Sequence, residues 1–317
     1  MHPLVDKLRG TLLPAVVTPM DSDGAVAYDA LSAYASSIAA GPIGGVAVWA
    51  HTGRGLYLSE ADRGKVLSTW RAATSAPLVA GVGVPRSTAV ATLQEAEDAT
   101  VAMAVSAAGL GADAVMVYPL AGYGSLADGQ AAAVRLHQRV AAESGLPLVG
   151  FYLHGEAGGY PYPPALIREL LSLPEMLGVK TATLDQAVAC QDAIWAGRST
   201  GKLLITGEDR MYGPSMMWGA DTALVGIAAA QVELSAAVLR AWTAGEHTGF
   251  LHASERLDRF AAATFYAPIE GYVQRMLWAA TWEGLIPASA AHDPYGPALP
   301  TAERDLVVRC LEVLKAE

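Results

Sequence analysis

The stretch LVGFYLHGEAGGYPYPPALIRELLSLPEMLGVK, residues 148–180, contains one complete unit of the fold. Its start, Leu148–Tyr152, is an apolar run of strand length, Pro163–Leu171 has helical periodicity, and Leu177–Lys180 is a second apolar run. A strand, a helix and a strand in this order predict two parallel strands joined by a right-handed crossover.

The same alternation extends over the first 230 residues, where eight apolar runs alternate with helical patterns. The predicted strands are Leu12–Thr18, Gly45–Trp49, Leu78–Ala80, Ala114–Val117, Leu148–Tyr152, Leu177–Lys180, Leu203–Thr206 and Ala223–Gly226. Eight such units favour a closed (β/α)8 barrel, a TIM barrel. An open doubly wound sheet is the alternative, but no predicted strand is followed by a G-x-G-x-x-G turn.

Helical patterns fill the intervals between the strands and continue alone after the eighth. Between the strands they are Tyr28–Ala40, Ser59–Thr74, Ser87–Ala108, Leu126–Ser144, Pro163–Leu171, Asp185–Ala196 and Asp209–Trp218. After the strands they are Val232–Ala244, Gly249–Ala263, Pro268–Glu283 and Ala302–Ala316, with an ordered proline-rich loop at Ile286–Pro300. The sequence therefore predicts a barrel over residues 1–230 and a C-terminal helical region over 231–317 that packs on it.

The composition excludes several classes of protein. With 52% hydrophobic and 16% charged residues the chain can bury a large core, and its net charge of −10 argues against nucleic acid or an anionic membrane as a partner. Two cysteines are too few for a disulfide framework or a structural metal site. Residues 1–10 do not resemble a signal peptide, and no run is long enough to span a membrane. We expect a cytoplasmic enzyme without a metal or cofactor.

Reactive side chains at the ends of strands are the candidates for catalysis, because the active site of such a barrel lies there. Lys180 ends the sixth strand, and desolvation in a barrel mouth would free its amine to attack a carbonyl. Taken alone, a lysine here more often extends into solvent. Tyr152 ends the fifth strand, where its phenol could transfer protons; strand alternation is expected to send Phe151 to the other face.

The turn after the second strand is a candidate for binding a carboxylate. In Ala50–Gly55 the Thr52 hydroxyl and the backbone near Gly53 could hold an anion, and His51 could transfer protons. Arg54 is either a ligand clamp or part of an ion pair, and His154 is a secondary candidate. No cluster has the spacing of metal ligands.

These segments together resemble the dihydrodipicolinate synthase / N-acetylneuraminate lyase family of class I aldolases. The similarity extends over nearly the whole chain and rests on Gly10–Pro19, on Gly44–Gly53, on Gly178–Thr183 and on Tyr152, 28 residues before Lys180. The resemblance implies that Lys180 forms a Schiff base with a 2-oxo acid and that Tyr152 is the catalytic tyrosine. It further implies that the substrate contacts Thr52, Gly53, Gly207 and Leu224, and that the chain forms homodimers or homotetramers.

Three departures from the family pattern narrow the implied activity. His51 replaces the first hydroxyl of the carboxylate-binding turn, and Leu120–Gly122 replaces the Tyr-Tyr-Asn that supplies a tyrosine across the subunit interface. Ala157 stands where the family has the arginine that binds the aldehyde substrate's carboxylate. We therefore expect a lyase with pyruvate or a related 2-oxo acid that does not make dihydrodipicolinate. A sugar-acid dehydratase with the same imine, or a non-catalytic 2-oxo-acid-binding homologue, are the alternatives.

Overall fold

Eight parallel strands form the centre of the computed structural model, which describes residues 2–317. The strands are β1 (Leu12–Pro14), β2 (Val46–Val48), β3 (Leu78–Val82), β4 (Ala114–Val117), β5 (Leu148–Leu153), β6 (Met176–Ala182), β7 (Leu203–Thr206) and β8 (Thr222–Val225). Their order in the sheet is β1-β8-β7-β6-β5-β4-β3-β2. A parallel bridge between Ala15 and Ala47 joins β1 to β2 and closes the barrel. The predicted TIM barrel is confirmed, and the open sheet is wrong.

Helices follow the strands in regular alternation. They are α1 (Pro3–Leu8), α2 (Tyr28–Ala39), α3 (Glu60–Ala73), α4 (Leu93–Gly109), α5 (Gly129–Ser144), α6 (Pro164–Ser172), α7 (Ala187–Gly197), α8 (Tyr212–Trp218), α9 (Val232–Thr243), α10 (His247–Thr264), α11 (Tyr272–Trp282) and α12 (Thr301–Ala316). Helix α9 follows β8 and is the eighth helix of the alternation, so α10, α11 and α12 lie beyond the barrel, in a segment here called the tail (residues 244–317). Within residues 2–317, no helix combines the length and the hydropathy that crossing a bilayer requires.

Side chains of the strands alternate between two hydrophobic cores. One core fills the barrel and includes Leu13, Val149, Leu177 and Leu224. The other lies between the strands and the surrounding helices. This alternation follows from the two-residue period of a strand, and it decides which side chains reach the mouth of the barrel.

Several helices begin later than the sequence pattern predicts, and at α4 and α8 the difference enlarges a loop at the barrel mouth. Helix α4 begins after Thr92, whose side chain accepts from the backbone N–H of Glu95 while the Glu95 carboxylate accepts from the N–H of Thr92. Helix α8 begins at Tyr212 instead of Asp209. The acidic pair Glu208 and Asp209 therefore lies on the loop that follows β7.

Candidate active site

A β-bulge in β6 sets the direction of Lys180. Leu148 of β5 pairs with Met176, but Val149 pairs with Gly178, so β6 carries one extra residue at this point. A Cβ on Gly178 would lie 2.2 Å from the carbonyl oxygen of Leu203, so only glycine fits there. The extra residue shifts the alternation of the following residues by one, and Lys180 consequently points into the barrel.

The lysine side chain occupies a space that its neighbours leave free. Its Nζ lies 4.4 Å from the centre of the Phe151 ring, which comes from the paired position on β5. A Cβ on Gly207 would lie 2.2 Å from the Cε of Lys180. Gly207 is therefore the residue that makes room for the extended lysine at the end of β7.

The ammonium form of Lys180 is poorly stabilised by its surroundings. Within residues 2–317, its Nζ has no hydrogen bond and no carboxylate closer than 4.0 Å. Burial lowers the pKa of Lys180 to about 8, and the charges of Asp209 and Glu208 limit the decrease. At pH 7 an amine with a pKa of about 8 is about one tenth neutral, against about 0.03% at a pKa of 10.5. Burial without an ion-pair partner therefore favours the neutral form of the amine, which is the nucleophilic form.

Tyr152 does not share this pocket. Its ring belongs to the core between strands and helices, where it lies 6.3 Å from the ring of Tyr162. Phe151 points into the barrel, with Val149 and Leu153. The prediction that Tyr152 lies on the same face as Lys180, with Phe151 on the other face, is therefore wrong. The bulge in β6 pairs Lys180 with Phe151 and not with Tyr152.

The two carboxylates after β7 are held in different ways. The Glu208 carboxylate accepts from the backbone N–H of Thr183 at 2.8 and 3.0 Å and from its hydroxyl at 3.0 Å. Asp209 accepts from the N–H of Ile227 at 2.7 Å and lines the pocket. Burial raises the pKa of Asp209 to about 7, although the Ile227 N–H and the charge of Lys180 oppose this. Asp209 can therefore exchange protons near neutral pH.

Residues before and in α11 form the opposite side of the pocket. The Tyr272 hydroxyl lies 3.0 Å from the Thr52 hydroxyl, and its ring stacks on Phe265 at 4.6 Å between centres. Burial raises the pKa of Tyr272 well above 10, so this phenol stays protonated at neutral pH. The tail thus supplies a phenol close to the residues that were expected to bind a carboxylate.

Ion pairs attach the β2 turn to the tail. His51 Nε2 lies 2.9 Å from a carboxylate oxygen of Glu270. The guanidinium of Arg54 donates to Glu270 at 2.7 Å and to Asp293 at 2.6 Å, and both Arg54 and Asp293 side chains are almost fully buried. Burial raises the pKa of Glu270, but hydrogen bonds from His51 and Arg54 outweigh it and lower the pKa to about 2. Arg54 is therefore part of a structural ion pair.

The remaining predicted residues divide between the pocket and its support. His51, Thr52, His154 and Gly207 line the pocket with Lys180. Gly53 does not line it, since its N–H donates to Ala50 at 2.9 Å and a Cβ would meet the Val16 carbonyl oxygen at 2.7 Å. Leu224 lies deeper in the barrel, and Gly226 on the same face lines the pocket instead. Gly53 and Leu224 as substrate contacts therefore stay predictions, which the lining of the pocket does not support.

The pocket around Lys180, here called the catalytic pocket, is small. Its volume is about 70 Å³, and one water-sized site needs about 10–15 Å³, so it holds a molecule of few heavy atoms. Across residues 2–317, no group of three or more His, Cys, Asp or Glu side chains is arranged to hold a metal ion.

The sequence matches the model of the dihydrodipicolinate synthetase family over residues 8–313. The chain belongs to this family. The resemblance stated from the motifs is confirmed, and membership makes the protein a lyase.

Relatives in the family are distant. The chain is 27% identical over 308 residues to the 4-hydroxy-tetrahydrodipicolinate synthase of Prochlorococcus marinus (strain MIT 9211), covering 96% of this chain and 95% of that one. It is 28% identical over 239 residues to 4-hydroxy-tetrahydrodipicolinate synthase 1 of Streptomyces coelicolor, covering 75% and 72%. The family is therefore shared across nearly the full length, while most side chains differ.

Solved structures share the fold at still lower identity. The Ruminococcus gnavus sialic acid aldolase superposes with a TM-score of 0.81 at 19% identity, covering 98% of both chains, and a second structure of that enzyme is of a catalytic-lysine mutant. YagE of Escherichia coli K12, in complex with pyruvate, also gives 0.81 at 19% identity, covering 96% of this chain and 98% of that one.

Several pocket residues of this family member are not predicted by the sequence patterns. Glu208 and Asp209 have the appearance of generic carboxylates in the sequence, although they lie two and three residues after the end of β7, at the carboxyl ends of the strands. Glu270 and Tyr272 belong to the tail, and no local pattern indicates that they reach the barrel mouth. The one signal in the sequence is the length of the tail, which exceeds what closing a barrel requires.

Proposed function

We propose that this lyase forms an imine between Lys180 and pyruvate or another 2-oxo acid, and that it makes or breaks a carbon–carbon bond beside that imine. The observation that carries the proposal is the unpaired, buried amine of Lys180, with a pKa of about 8, in a pocket sized for a small molecule. The structural neighbours support it, because YagE is a complex with pyruvate and the Ruminococcus enzyme has a catalytic lysine.

Imine formation begins with the neutral amine. The Nζ of Lys180 attacks the keto carbon, the carbonyl oxygen takes up a proton, and the nitrogen loses one. Loss of the resulting hydroxyl as water needs a second proton. The protonated imine then withdraws electrons from the adjacent carbon. In condensation this carbon loses a proton and becomes nucleophilic as an enamine, and in cleavage the electron pair of the broken carbon–carbon bond passes into the imine to give the same enamine.

The substrate carboxylate is best accommodated near Thr52. Thr52 and Tyr272 both line the pocket, and their hydroxyls are in contact. Gly226 leaves room for the Thr52 hydroxyl, because a Cβ at position 226 would lie 2.8 Å from the Thr52 oxygen. A carboxylate at this position would accept hydrogen bonds from one or both hydroxyls.

In this mechanism the groups that transfer protons do not lie on β5. Phe151 occupies the position beside Lys180 on that strand and has no proton to give. The Tyr272 hydroxyl is protonated at neutral pH and is in hydrogen-bond contact with Thr52, so it can donate a hydrogen bond to the carbinolamine hydroxyl and relay a proton to it. Asp209, with a pKa of about 7, and His51, held by Glu270, are the further proton carriers of the pocket.

Reductive trapping tests the proposal. The protein is incubated with pyruvate, reduced with borohydride and digested, and we expect the reduced pyruvyl adduct on the peptide that contains Lys180. A Lys65→Ala variant, which removes an exposed lysine on α3, should be trapped as well as the wild type. Absence of any adduct with pyruvate and with a panel of 2-oxo acids would contradict the proposal.

We propose in addition that the chain forms a homo-oligomer. Helices α7 and α8 expose large apolar side chains: on α7 Val188 is 71% and Trp195 47% exposed, and on α8 Met217 is 54% exposed. Burying such a surface against a second copy would remove it from water. Sedimentation velocity of the wild type and of a Val188→Glu, Trp195→Glu double variant tests this, and a wild-type monomer would contradict it.

A further inference from the structure

The tail contains a cavity of its own, here called the tail cavity. It has a volume of about 570 Å³ and lies between α11, the loop 286–300 and α12. This is about eight times the volume of the catalytic pocket, and it falls in the range of sites that hold a whole small molecule. Among residues 2–317, none lines both the tail cavity and the catalytic pocket.

Two tryptophans give the tail cavity an apolar wall. Trp278 and Trp282 lie four residues apart on α11, so their side chains share one face of the helix, and both are partly exposed. Pro297 and Leu299 of the loop and Val308 of α12 complete the apolar lining. A flat ring that stacks on an indole removes apolar surface from water and adds an aromatic contact. The wall therefore favours a ligand with a flat apolar body.

The charged groups of the lining favour an anion at the end of that body. Arg304 of α12 is exposed, and its one carboxylate contact within residues 2–317 is its chain neighbour Asp305, at 3.9 Å with both side chains more than half exposed. Such a pair is weak, so the guanidinium is available to a ligand carboxylate. Asp293 is the only carboxylate in the described lining, and Arg54 neutralises it. The exposed His292 ring can add a hydrogen bond.

The tail cavity borders the ion pair that holds the β2 turn. Asp293 accepts from Nε of Arg54 at 3.1 Å and from Nη2 at 2.6 Å. Gly296 also lines the cavity, and a Cβ there would lie 2.5 Å from Oδ2 of Asp293 and 3.2 Å from Nη2 of Arg54. Arg54 in turn donates to Glu270, which lines the catalytic pocket. A ligand that shifts the loop 286–300 therefore shifts a carboxylate that positions one side of the catalytic pocket.

We propose that the tail cavity binds a small aromatic carboxylate, and that its occupation changes the affinity of the catalytic pocket for a 2-oxo acid. The ring of the ligand stacks on Trp278 and Trp282, and its carboxylate accepts hydrogen bonds from Arg304. The effect on the catalytic pocket rests on the proposed imine chemistry, whereas binding in the tail cavity does not. Because coupling between two sites is reciprocal, the 2-oxo acid changes the affinity for the aromatic carboxylate by the same factor.

Titration calorimetry tests the binding. Naphthalene-1-acetate is compared with naphthalene-1-acetamide, which has the same ring and nearly the same size but no charge. For the wild type we expect one carboxylate ligand per chain with a Kd of about 1 mM or lower, and an affinity for the amide that is about 3- to 10-fold weaker. Trp278→Ala should weaken the carboxylate about 10-fold, and Arg304→Ala should abolish the preference for the carboxylate over the amide.

A matched variant controls for the charge. Arg309 is also exposed on α12 but does not line the cavity, so Arg309→Ala should leave both affinities within about twofold of the wild type. Since Arg304 is exposed as well, its variant should keep the fold and decides the site even if Trp278→Ala is unstable. No binding by the wild type, or a preference for the carboxylate that survives in Arg304→Ala, would overturn the site.

Reductive trapping tests the coupling. The pyruvate concentration that gives half-maximal trapping on Lys180 is measured with and without saturating naphthalene-1-acetate, and we expect it to change about fivefold or more. The affinity for naphthalene-1-acetate should change by the same factor at saturating pyruvate. A half-maximal concentration that does not change would overturn the coupling. If pyruvate is not trapped at all, the proposed imine fails, and the calorimetry still decides whether the tail cavity is a binding site.

Discussion

The catalytic pocket has two walls of different origin. One wall is made by strand ends, with Lys180 on β6 and Gly207 directly after β7, and its geometry follows from the register of the barrel. The other wall is made by the tail, with Glu270 and Tyr272, and it is held by side-chain contacts to the β2 turn. In the proposed mechanism the barrel supplies the nucleophile, and the tail supplies one of the proton donors.

The barrel wall should be the more sensitive to change, and Lys180→Ala should have the largest effect. Without the amine there is no imine, so we expect turnover to fall by about 10⁴-fold or more and borohydride trapping to disappear. Circular dichroism should show an intact fold, because the substitution removes a buried charge without a partner. A variant that keeps more than about one tenth of wild-type turnover would show that the barrel wall does not hold the nucleophile.

Gly207→Ala tests whether kcat depends on the space that Gly207 leaves for the Lys180 side chain. Its Cβ would lie 2.2 Å from Lys180 Cε and 2.4 Å from the Thr181 carbonyl oxygen, so the amine must move. A displacement of this size corresponds to a loss of about 10²-fold in kcat. Gly109→Ala is the control, since a Cβ there meets nothing within 4 Å. Equal kcat in the two variants would contradict the assignment.

A pair of tyrosine variants compares the two walls most directly. Tyr272→Phe removes the hydroxyl in contact with Thr52, and kcat should fall about 10²-fold because a proton donor is lost. Tyr152→Phe removes a hydroxyl in the core outside the barrel and should change kcat less than about threefold. The reverse order of effects would place the proton donor on β5 and remove the tail wall from the mechanism.

The attachment of the tail should show in stability. Arg54→Ala leaves the buried carboxylate of Asp293 without its cation, which costs about 3 kcal/mol or more. We expect a lower midpoint of thermal unfolding and a reduced kcat, since Glu270 also loses its anchor. Arg135→Ala, which breaks an exposed ion pair with Asp128, should leave both values unchanged. An unchanged unfolding midpoint in Arg54→Ala would contradict this role.

The smallest effect of a substitution is expected on the pH dependence of trapping. Because the pKa of Lys180 is about 8, the trapping rate should fall about tenfold per pH unit below pH 8 and level off above it. The charge of Asp209 raises this pKa, so Asp209→Asn should move the midpoint to lower pH. Asp23→Asn, on an exposed loop, serves as the control. A midpoint that moves to higher pH would contradict the assigned coupling.

The two walls also differ in how far the sequence predicts them. The strand ends follow from alternation, so Lys180, Thr52 and Gly207 can be assigned to the barrel mouth from the sequence alone. The bulge at Gly178 cannot, because one extra residue leaves the apolar pattern of β6 unchanged and yet exchanges the faces of the residues after it.

The tail wall depends on contacts between residues far apart in sequence. Thr52 and Tyr272 are separated by 220 residues, and Arg54 and Asp293 by 239. No periodicity within α11 indicates which of its side chains meets the β2 turn, because that is decided by how the helix packs on the completed barrel.

The late position of Tyr272 in the chain bears on how the protein is made. All eight strands and Lys180 are synthesised before residues 265–272. A chain that has not yet reached residue 272 contains Lys180 and the β2 turn but lacks the side of the pocket that Glu270 and Tyr272 form. The proposed site is therefore the last part of the barrel mouth to be completed as the chain is synthesised.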